Sequence, residues 1–474
     1  MNDSIRKYFY EISAIPRPSG KEDKIADYLM EFAKAHGLSA VRDEANNVLI
    51  RKSANGTARD ASPVLLQGHT DMVCEKNNGT VHDFLKEGIK IIEEGDFLRA
   101  DGTTLGADNG YAVAVMLSLL SDTKVVHPPL ECLFTTAEET GLDGMQSFDK
   151  SLLTARAMIN LDSCDETVAT AASAGGMTTH FRRNPTTVTP AYKNKILLSV
   201  TGLAGGHSGE DINSGRKNAL KLCTRLYLAA ANVTDTEIVS VSGGNKDNAI
   251  PRECSFAFTC ADPDSAEVAI RAEEKKIREI LAEADHGFTV TTEHSSDEHH
   301  VLSHADKEAL VSLLRLLPYG PIAMSNSVKD LVETSSNMAI VHAGADGIEV
   351  ISSSRSSLEA ELDDVSALLS LIAKQSGFDA EHKSRYPGWA FNKDSRLQEV
   401  YLTSYRNLFG TDASIIGIHA GLECGLVKEA IPDMDILSIG PNMYDIHTPD
   451  ERLSVSSAGR VYDLLLEMLR ALGK

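Results

Sequence analysis

At 474 residues the chain is too long for one ordinary hydrophobic core, so two or three domains are expected, and an apolar content of 42% supports compact globular folding. Its 68 acidic against 46 basic residues leave a formal charge of −22 spread along the sequence, which argues against nucleic acid or an anionic membrane as a partner, since both would be repelled. The opening MNDSIRKYFYEIS has no uninterrupted apolar stretch, no later run approaches a membrane span, and seven scattered cysteines without a CxxC read as reduced thiols. A soluble cytoplasmic protein is the expectation.

The first segment predicts an amphipathic helix that breaks at Pro16 and Pro18. Ser19 and Glu22 then predict a capping box for a second helix, with Ile25, Tyr28, Leu29 and Phe32 on one face. Apolar strands are expected around 64–68, 130–136 and 157–161, with a helix near 110–121. Strands alternating with helices give an α/β fold, a mostly parallel sheet covered on both faces. After the small-residue run 171–176 the texture changes to an α+β module: KILLSVTG, a helix near 215–231, ECSFAFTC, a charged helix near 265–284 and GFTVTTEH. A similar order recurs more loosely in a helix at 305–316, PIAMSNSV, SSNMAIVHA, GIEVISSSR and a helix at 359–376, which suggests an internal duplication. The first texture then returns with a helix near 395–408, ASIIGIHA, a helix near 421–429, DILSIG and a final helix at 455–472. Trp389 in PGWAF marks that return.

Five side chains carry the chemistry: His69, Asp108, Glu139, Asp162 and His447, with Glu138 beside Glu139. Several end apolar runs, in VLLQGHTDMV, GADNG, LECLFTTAEET and MINLDS, and strand ends are where an α/β fold gathers a site. Two imidazoles and three carboxylates suit two divalent ions, with zinc the leading candidate and cobalt or manganese able to substitute. Asp71, two residues beyond His69, faces the same side and can accept the proton of the ring nitrogen that binds no metal. Glu138 is left to take a proton from water. Each feature also has a plain reading: a surface HxD pair, a solvated acidic step, a helix cap at Asp108, a turn residue at Asp162. Their joint occurrence at four strand ends favours the site. Because His447 lies far beyond its partners, the chain must return to complete that site, so residues 1–175 and 390–474 form one domain and 176–389 an insertion placed to act as a lid. The histidines 294, 299, 300 and 304 sit in a polar stretch and read as a solvated loop.

With HTDMV, GADNG, AEET, NLDS, GGHSG and DIHT in order, the chain resembles the dinuclear-zinc metallopeptidases that include carboxypeptidase G, aminoacylase and carnosinase. The likeness runs nearly end to end, through IPRPSGKE, LQGHTDMVCEKN, TLGADNGYAVA, GLAGGHSGEDIN and HAGLECG, and is strongest toward aminoacyl-histidine dipeptidases. It implies a zinc-exopeptidase-like catalytic domain with an inserted lid, and hydrolysis of Xaa-His dipeptides such as beta-alanyl-histidine. It further implies that Asp108 bridges two ions, His69 and Asp162 completing one and Glu139 and His447 the other, with Glu138 as general base and Asp71 orienting His69.

For the lid, the resemblance implies that His207 contacts the oxyanion and Asn248 the substrate; each also reads as a turn residue. Arg355 ends an apolar strand and could fork a substrate carboxylate, or form a surface ion pair. Glu423 could bind a substrate amine or begin a helix. A related amidohydrolase, such as a tripeptidase or an N-acyl amino acid deacylase, is the nearest alternative, and a non-catalytic metal-binding scaffold the more distant one. The partner expected is a small peptide. A single chain could supply His207 to its own site, or the second subunit of a homodimer could.

Overall fold

The computed structural model describes residues 1–56, 61–297 and 299–474, which divide into two compact units. The first comprises Met1–Ser173, Trp389–Gly417 and Leu422–Lys474; the second comprises Ala174–Gly388 and Ile418–Gly421.

The first unit opens with α1 (Asp3–Ser13) and α2 (Asp23–Ala35), then β1 (Ser39–Arg42), β2 (Val48–Lys52) and β3 (Val64–His69). There follow α3 (Ala107–Ser121), β4 (Leu130–Thr135), β5 (Ala157–Asn160) and β6 (Val168–Ser173). In α1, Ile5, Phe9 and Ile12 recur at helical spacing and are fully buried. Every residue of β3 and β4 is buried, Gln67, His69 and Glu131 among them, as expected of strands covered on both faces. The capping box expected at Ser19 and Glu22 does not form. The cap residue of α2 is Glu22, whose side chain makes no capping bond, because both side chains find stronger partners near the candidate site.

The second unit is built from β7 (Gly175–Arg183), β8 (Lys195–Thr201), α4 (Ala219–Ala231), β9 (Thr236–Gly243), β10 (Cys254–Cys260), α5 (Pro263–Arg278) and β11 (Thr289–Ser295). It continues through α6 (His304–Leu316), β12 (Val332–Gly344), β13 (Gly347–Ser356), α7 (Glu359–Ser376) and β14 (Asp379–Tyr386). One antiparallel sheet runs β11-β8-β10-β9-β12-β13-β7-β14. The order is a palindrome. Strands β8, β9, β10 and β11 with α4 and α5 make one β-α-β-β-α-β module, and β7, β12, β13 and β14 with α6 and α7 make a second. The two meet where β9 pairs β12. The recurrence in the sequence is therefore a nested one: the first strand of the second module, β7, precedes the whole of the first. One apolar layer binds the helices to the sheet, drawing Leu226 and Ile270 from one module and Leu313 and Leu369 from the other against Ile196, Phe256, Met338 and Val350.

The chain re-enters the first unit with α8 (Arg396–Phe409), β15 (Ser414–Ile418), α9 (Cys424–Ala430), β16 (Asp435–Ser438) and α10 (Val455–Leu472). The resulting sheet has the order β1-β2-β4-β3-β5-β16-β6-β15. Its central strands β4, β3, β5 and β16 are parallel, while the β1–β2, β2–β4 and β16–β6 pairs are antiparallel, so the sheet is mixed with a parallel centre. The short segment Ile418–Gly421, which the sequence reading placed in the first domain, counts with the second unit: His419 Nε2 lies 2.7 Å from Ser335 Oγ, and the carbonyl of Ala420 accepts from the amide of Ala174 at 3.0 Å. No disulfide joins any of the seven cysteines, and no described helix is long and apolar enough to cross a membrane.

Candidate metal centre

The parallel centre of the first sheet delivers its strand ends to one place. His69 is the last residue of β3, Glu138 and Glu139 follow β4 through a turn in which Ala137 takes a left-handed φ of 48°, and Asp162 lies two residues past β5. Asp108 comes from the first turn of α3. That helix can approach β3 because residue 68 is glycine: a β-carbon there would lie 2.3 Å from Asn109 Oδ1 and 2.5 Å from Ala112 Cβ. Asn109 in turn donates to the carbonyl of Leu161 at 2.8 Å, tying the start of α3 to the Asp162 segment. His447, with φ 63°, comes from the loop before α10.

Ligand atoms of His69, Asp108 and Asp162 lie within 4.8 Å of one another, as do those of Asp108, Glu139 and His447, and those of His69, Glu138 and Glu139. His69 Nε2 is 3.1 Å from Asp108 Oδ1 and 3.8 Å from Asp162 Oδ1; His447 Nε2 is 3.2 Å from Asp108 Oδ2 and 3.1 Å from Glu139 Oε1. The two oxygens of Asp108 thus face different imidazoles. Histidines 294, 299, 300 and 304 contribute to none of these groups; His294 lies 3.2 Å from Glu267, and His304 is the first residue of α6.

Behind His69 sits Asp71, completely buried, with Oδ1 3.2 Å from Nδ1. The same carboxylate accepts the backbone N–H of Glu138 at 3.1 Å and of Glu139 at 3.3 Å, and the hydroxyl of Ser19 at 2.7 Å. Glu22 accepts from Ala137 N at 2.9 Å and so holds the same turn. Sequence reasoning missed these supports, Ser19 and Glu22. The signal available was PRPSGKE itself, a polar cluster between two helices.

Four carboxylates share this pocket with two imidazoles. Burial opposes ionisation of Asp108, yet hydrogen bonds from His447 and His69 hold its carboxyl well below the usual range. Hydrogen bonds to Asp108 and Glu139 push the His447 imidazole up to about 11. Burial, reinforced by neighbouring carboxylates, drives Glu138 and Asp162 well above the ordinary carboxyl value. Were all four carboxyls ionised, they would outnumber the two imidazolium charges beside them. Nitrogen and oxygen donors in this number fit two divalent metal ions, and the residues present suit them.

Beneath the ligands runs a buried polar chain. Glu423, at the start of α9 and 1% exposed, takes Gln67 Nε2 and the hydroxyl of Thr135 (2.8 Å) on Oε2, while its Oε1 is buried without a hydrogen-bond partner. Burial pushes its carboxyl up to about 7. Gln67 Oε1 accepts from Asn160 Nδ2 at 2.6 Å, and Asn160 Oδ1 accepts from the amide of Asp162 at 3.2 Å and from the hydroxyl of Ser438.

The second unit brings its own group together. His207 stands in a short strand paired with Ala249 and Ile250, and the carbonyl of Asn248 accepts from Ser208 N at 2.8 Å, so Asn248 neighbours His207 while its side chain is exposed. Arg355, buried at 7% exposure on β13, reaches within 3.5 Å of His207 Nε2 and donates to Tyr386 Oη at 2.8 Å. Burial and the Arg355 charge pull the His207 imidazole down to about 4. Its Nδ1 accepts the amide of Glu210 at 3.2 Å, while Nε2 faces the Arg355 guanidinium.

The parallel-centred sheet, the inserted antiparallel unit and the carboxylate–imidazole cluster define a metallopeptidase. The chain belongs to Peptidase family M20/M25/M40, whose family model matches residues 65–471. It is 37% identical over 467 residues to the cytosol non-specific dipeptidase of Escherichia coli, covering 98% of this chain and 96% of the relative. The crystal structure of the aminoacylhistidine dipeptidase of Vibrio alginolyticus superposes with a TM-score of 0.91 at 32% identity, over 99% of this chain and 96% of that one. The aminopeptidase PepT of Bacillus cereus shares the fold, with a TM-score of 0.57 at 15% identity over 100% and 99% of the two chains.

Proposed function

We propose that this peptidase is a metal-dependent dipeptidase that cleaves Xaa-His dipeptides such as beta-alanyl-histidine, with His69, Asp108, Glu139, Asp162 and His447 holding two ions, zinc first among the candidates. The observation that carries the reading is that the two oxygens of Asp108 face separate imidazoles, with Asp162 beside one and Glu139 beside the other. The dipeptide scale of the substrate is supported by the two relatives that match nearly end to end.

Divalent ions held there supply Lewis-acid polarisation of the scissile carbonyl and acidify water. Glu138, whose carboxyl burial already inclines toward holding a proton, accepts one from the attacking water and returns it to the leaving amine. Asp71 fixes the His69 tautomer and the backbone of the Glu138–Glu139 turn. His207 is the side chain we assign to the oxyanion, Arg355 supplies a guanidinium for the substrate carboxylate, and Asn248 is a further substrate contact; these are the roles we assign to the second unit as a lid. Glu423 Oε1, buried and unpartnered, is the acceptor we assign to the substrate ammonium. A cytoplasmic location accords with the cytosolic relative.

The test is turnover of the zinc-loaded protein on a panel of dipeptides, tripeptides and N-acetyl amino acids. Beta-alanyl-histidine and other free-amine dipeptides should be cleaved and N-acetyl amino acids spared. Preferential hydrolysis of the acetylated panel would replace this reading by that of a deacylase.

A further inference from the structure

We propose that Glu451 and Arg17 are positioning residues that lock three ligand-bearing segments into one frame, an inference resting on the two-ion reading above. The ligands come from separate places: His69 from β3, Asp108 from the entry to α3, His447 from the loop before α10. Their own side chains meet through the approaches of His69 and His447 to Asp108, and the backbone segments that carry them need a frame besides.

Glu451 is 2% exposed and accepts four consecutive backbone N–H groups: Leu105 (2.7 Å) and Gly106 (2.9 Å) on Oε2, Ala107 (2.8 Å) and Asp108 (3.2 Å) on Oε1. The cap residue of α3 is Gly106, which has no side chain to offer, so a carboxylate from 345 residues away satisfies the orphan donors of that helix start. A negative charge is favourable there. It also leaves the Asp108 side chain free of local capping duty, and both of its oxygens face imidazoles. Glu451 is four residues from His447, and its amide donates to Thr448 O at 3.1 Å, so the clamp joins the His447 loop to the Asp108 loop.

Arg17 holds the opposite edge. Also 2% exposed, it donates from Nη2 to Gly106 O at 2.6 Å and from Nη1 to Thr70 O at 2.8 Å and Asp71 O at 3.1 Å. The Asp108 loop is thus gripped by its amides through Glu451 and by its carbonyl through Arg17, and Arg17 ties it to the residues directly after His69. Two buried side chains of opposite charge thus tie the Asp108 segment to each of the other two.

A purely structural buried carboxylate in the same unit provides the contrast. Glu131, 3% exposed, accepts Thr154 N, Thr154 Oγ1 and Ala155 N, at the end of β4 away from Thr135, the register partner of His69. Glu451→Gln and Glu131→Gln each keep side-chain volume and replace an acceptor oxygen by an amide NH2 donor, so both should lower the melting temperature.

The experiment titrates zinc into the metal-free full-length protein against a chromophoric chelator. Glu451→Gln and Arg17→Lys should weaken binding of at least one of the two ions about 10–100-fold, the range seen when outer partners of metal ligands are removed. Glu131→Gln should bind as the unaltered protein does. Unchanged affinity in both clamp variants overturns the inference, and so does an equal loss in Glu131→Gln, which would make the effect one of stability alone. Arg17→Lys decides if Glu451→Gln does not fold. An unaltered protein that takes up no zinc brings down the two-ion reading together with the inference; one that takes up two while the clamp variants match it brings down the inference only.

Discussion

The carboxylate of Asp71 lies 3.2 Å from His69 Nδ1 and at the same time receives the backbone amides of Glu138 and Glu139. One buried side chain therefore orients a candidate ligand and shapes the turn that carries the candidate base. Burial opposes its ionisation, but His69 holds it below the ordinary carboxyl value. Asp71→Asn presents an amide NH2 donor where an acceptor is needed. Zinc affinity should fall about 10–100-fold and kcat with it, read by chelator competition and steady-state kinetics; a variant with unaltered affinity and kcat would remove Asp71 from the site.

Glu138→Gln should leave both ions in place, since none of its assigned duties is ligation. Without a proton acceptor kcat should drop by about 10²–10⁴. Metal content by elemental analysis and turnover on beta-alanyl-histidine separate the two effects. A loss of metal would show instead that Glu138 is a ligand.

Glu423→Gln tests the ammonium assignment through substrate comparison. The variant should raise KM for free-amine dipeptides with little change in kcat. A fall in kcat at constant KM would place Glu423 among the supports of the metal ligands, through Gln67 and Asn160.

Arg355→Lys keeps the charge and loses the planar fork. A charged hydrogen bond contributes about 1.5–3 kcal/mol, so kcat/KM for dipeptides should fall roughly 10–150-fold, chiefly through KM. Dipeptide amides, lacking the carboxylate, should be affected far less.

His419 supplies a pH signature in the second unit. Burial, then the Arg355 charge and His207, pull its imidazole from 6.5 down to about 3, and its Nε2 lies 2.7 Å from Ser335 Oγ. Between those values the unfolded chain binds a proton that the folded chain does not. Stability from this group is complete above about 6.5 and declines by about 1.4 kcal/mol per pH unit as pH falls toward 3. His419→Gln should flatten the fall in melting temperature between pH 6.5 and 5. An unchanged slope would show that His419 does not titrate as its burial requires.

The candidate site was legible because central strands rich in apolar residues end in ligand-type side chains, as in VLLQGH followed by Thr70 and Asp71, or LECLFT followed by AEE. Such an abrupt change of character has few explanations other than a site. Arg17 and Glu451 left no comparable mark: their partners are backbone amides and carbonyls, which every residue owns, so no side-chain pattern records the contact. Ser19 and Glu22 misled for a related reason. Their spacing satisfies a helix cap, but the buried Asp71 and the amide of Ala137 compete for the same atoms and win. The duplication was visible as a recurring order of elements, whereas its nesting was not, since β7 sits beside β13 only through pairing across more than 160 residues.

That nesting bears on how the chain is made. Once Ser295 has left the ribosome the inserted module β8 through β11 has all its own strands, whereas β7, made before them, still lacks its neighbours β13 and β14. Vectorial synthesis would let the inner module mature first, while Gly175–Arg183 waits as an unpaired edge. Truncated nascent chains ending between Ser295 and Gly347 should accordingly protect β8 and β10 from proteolysis, leave β7 cleavable, and depend most heavily on chaperones.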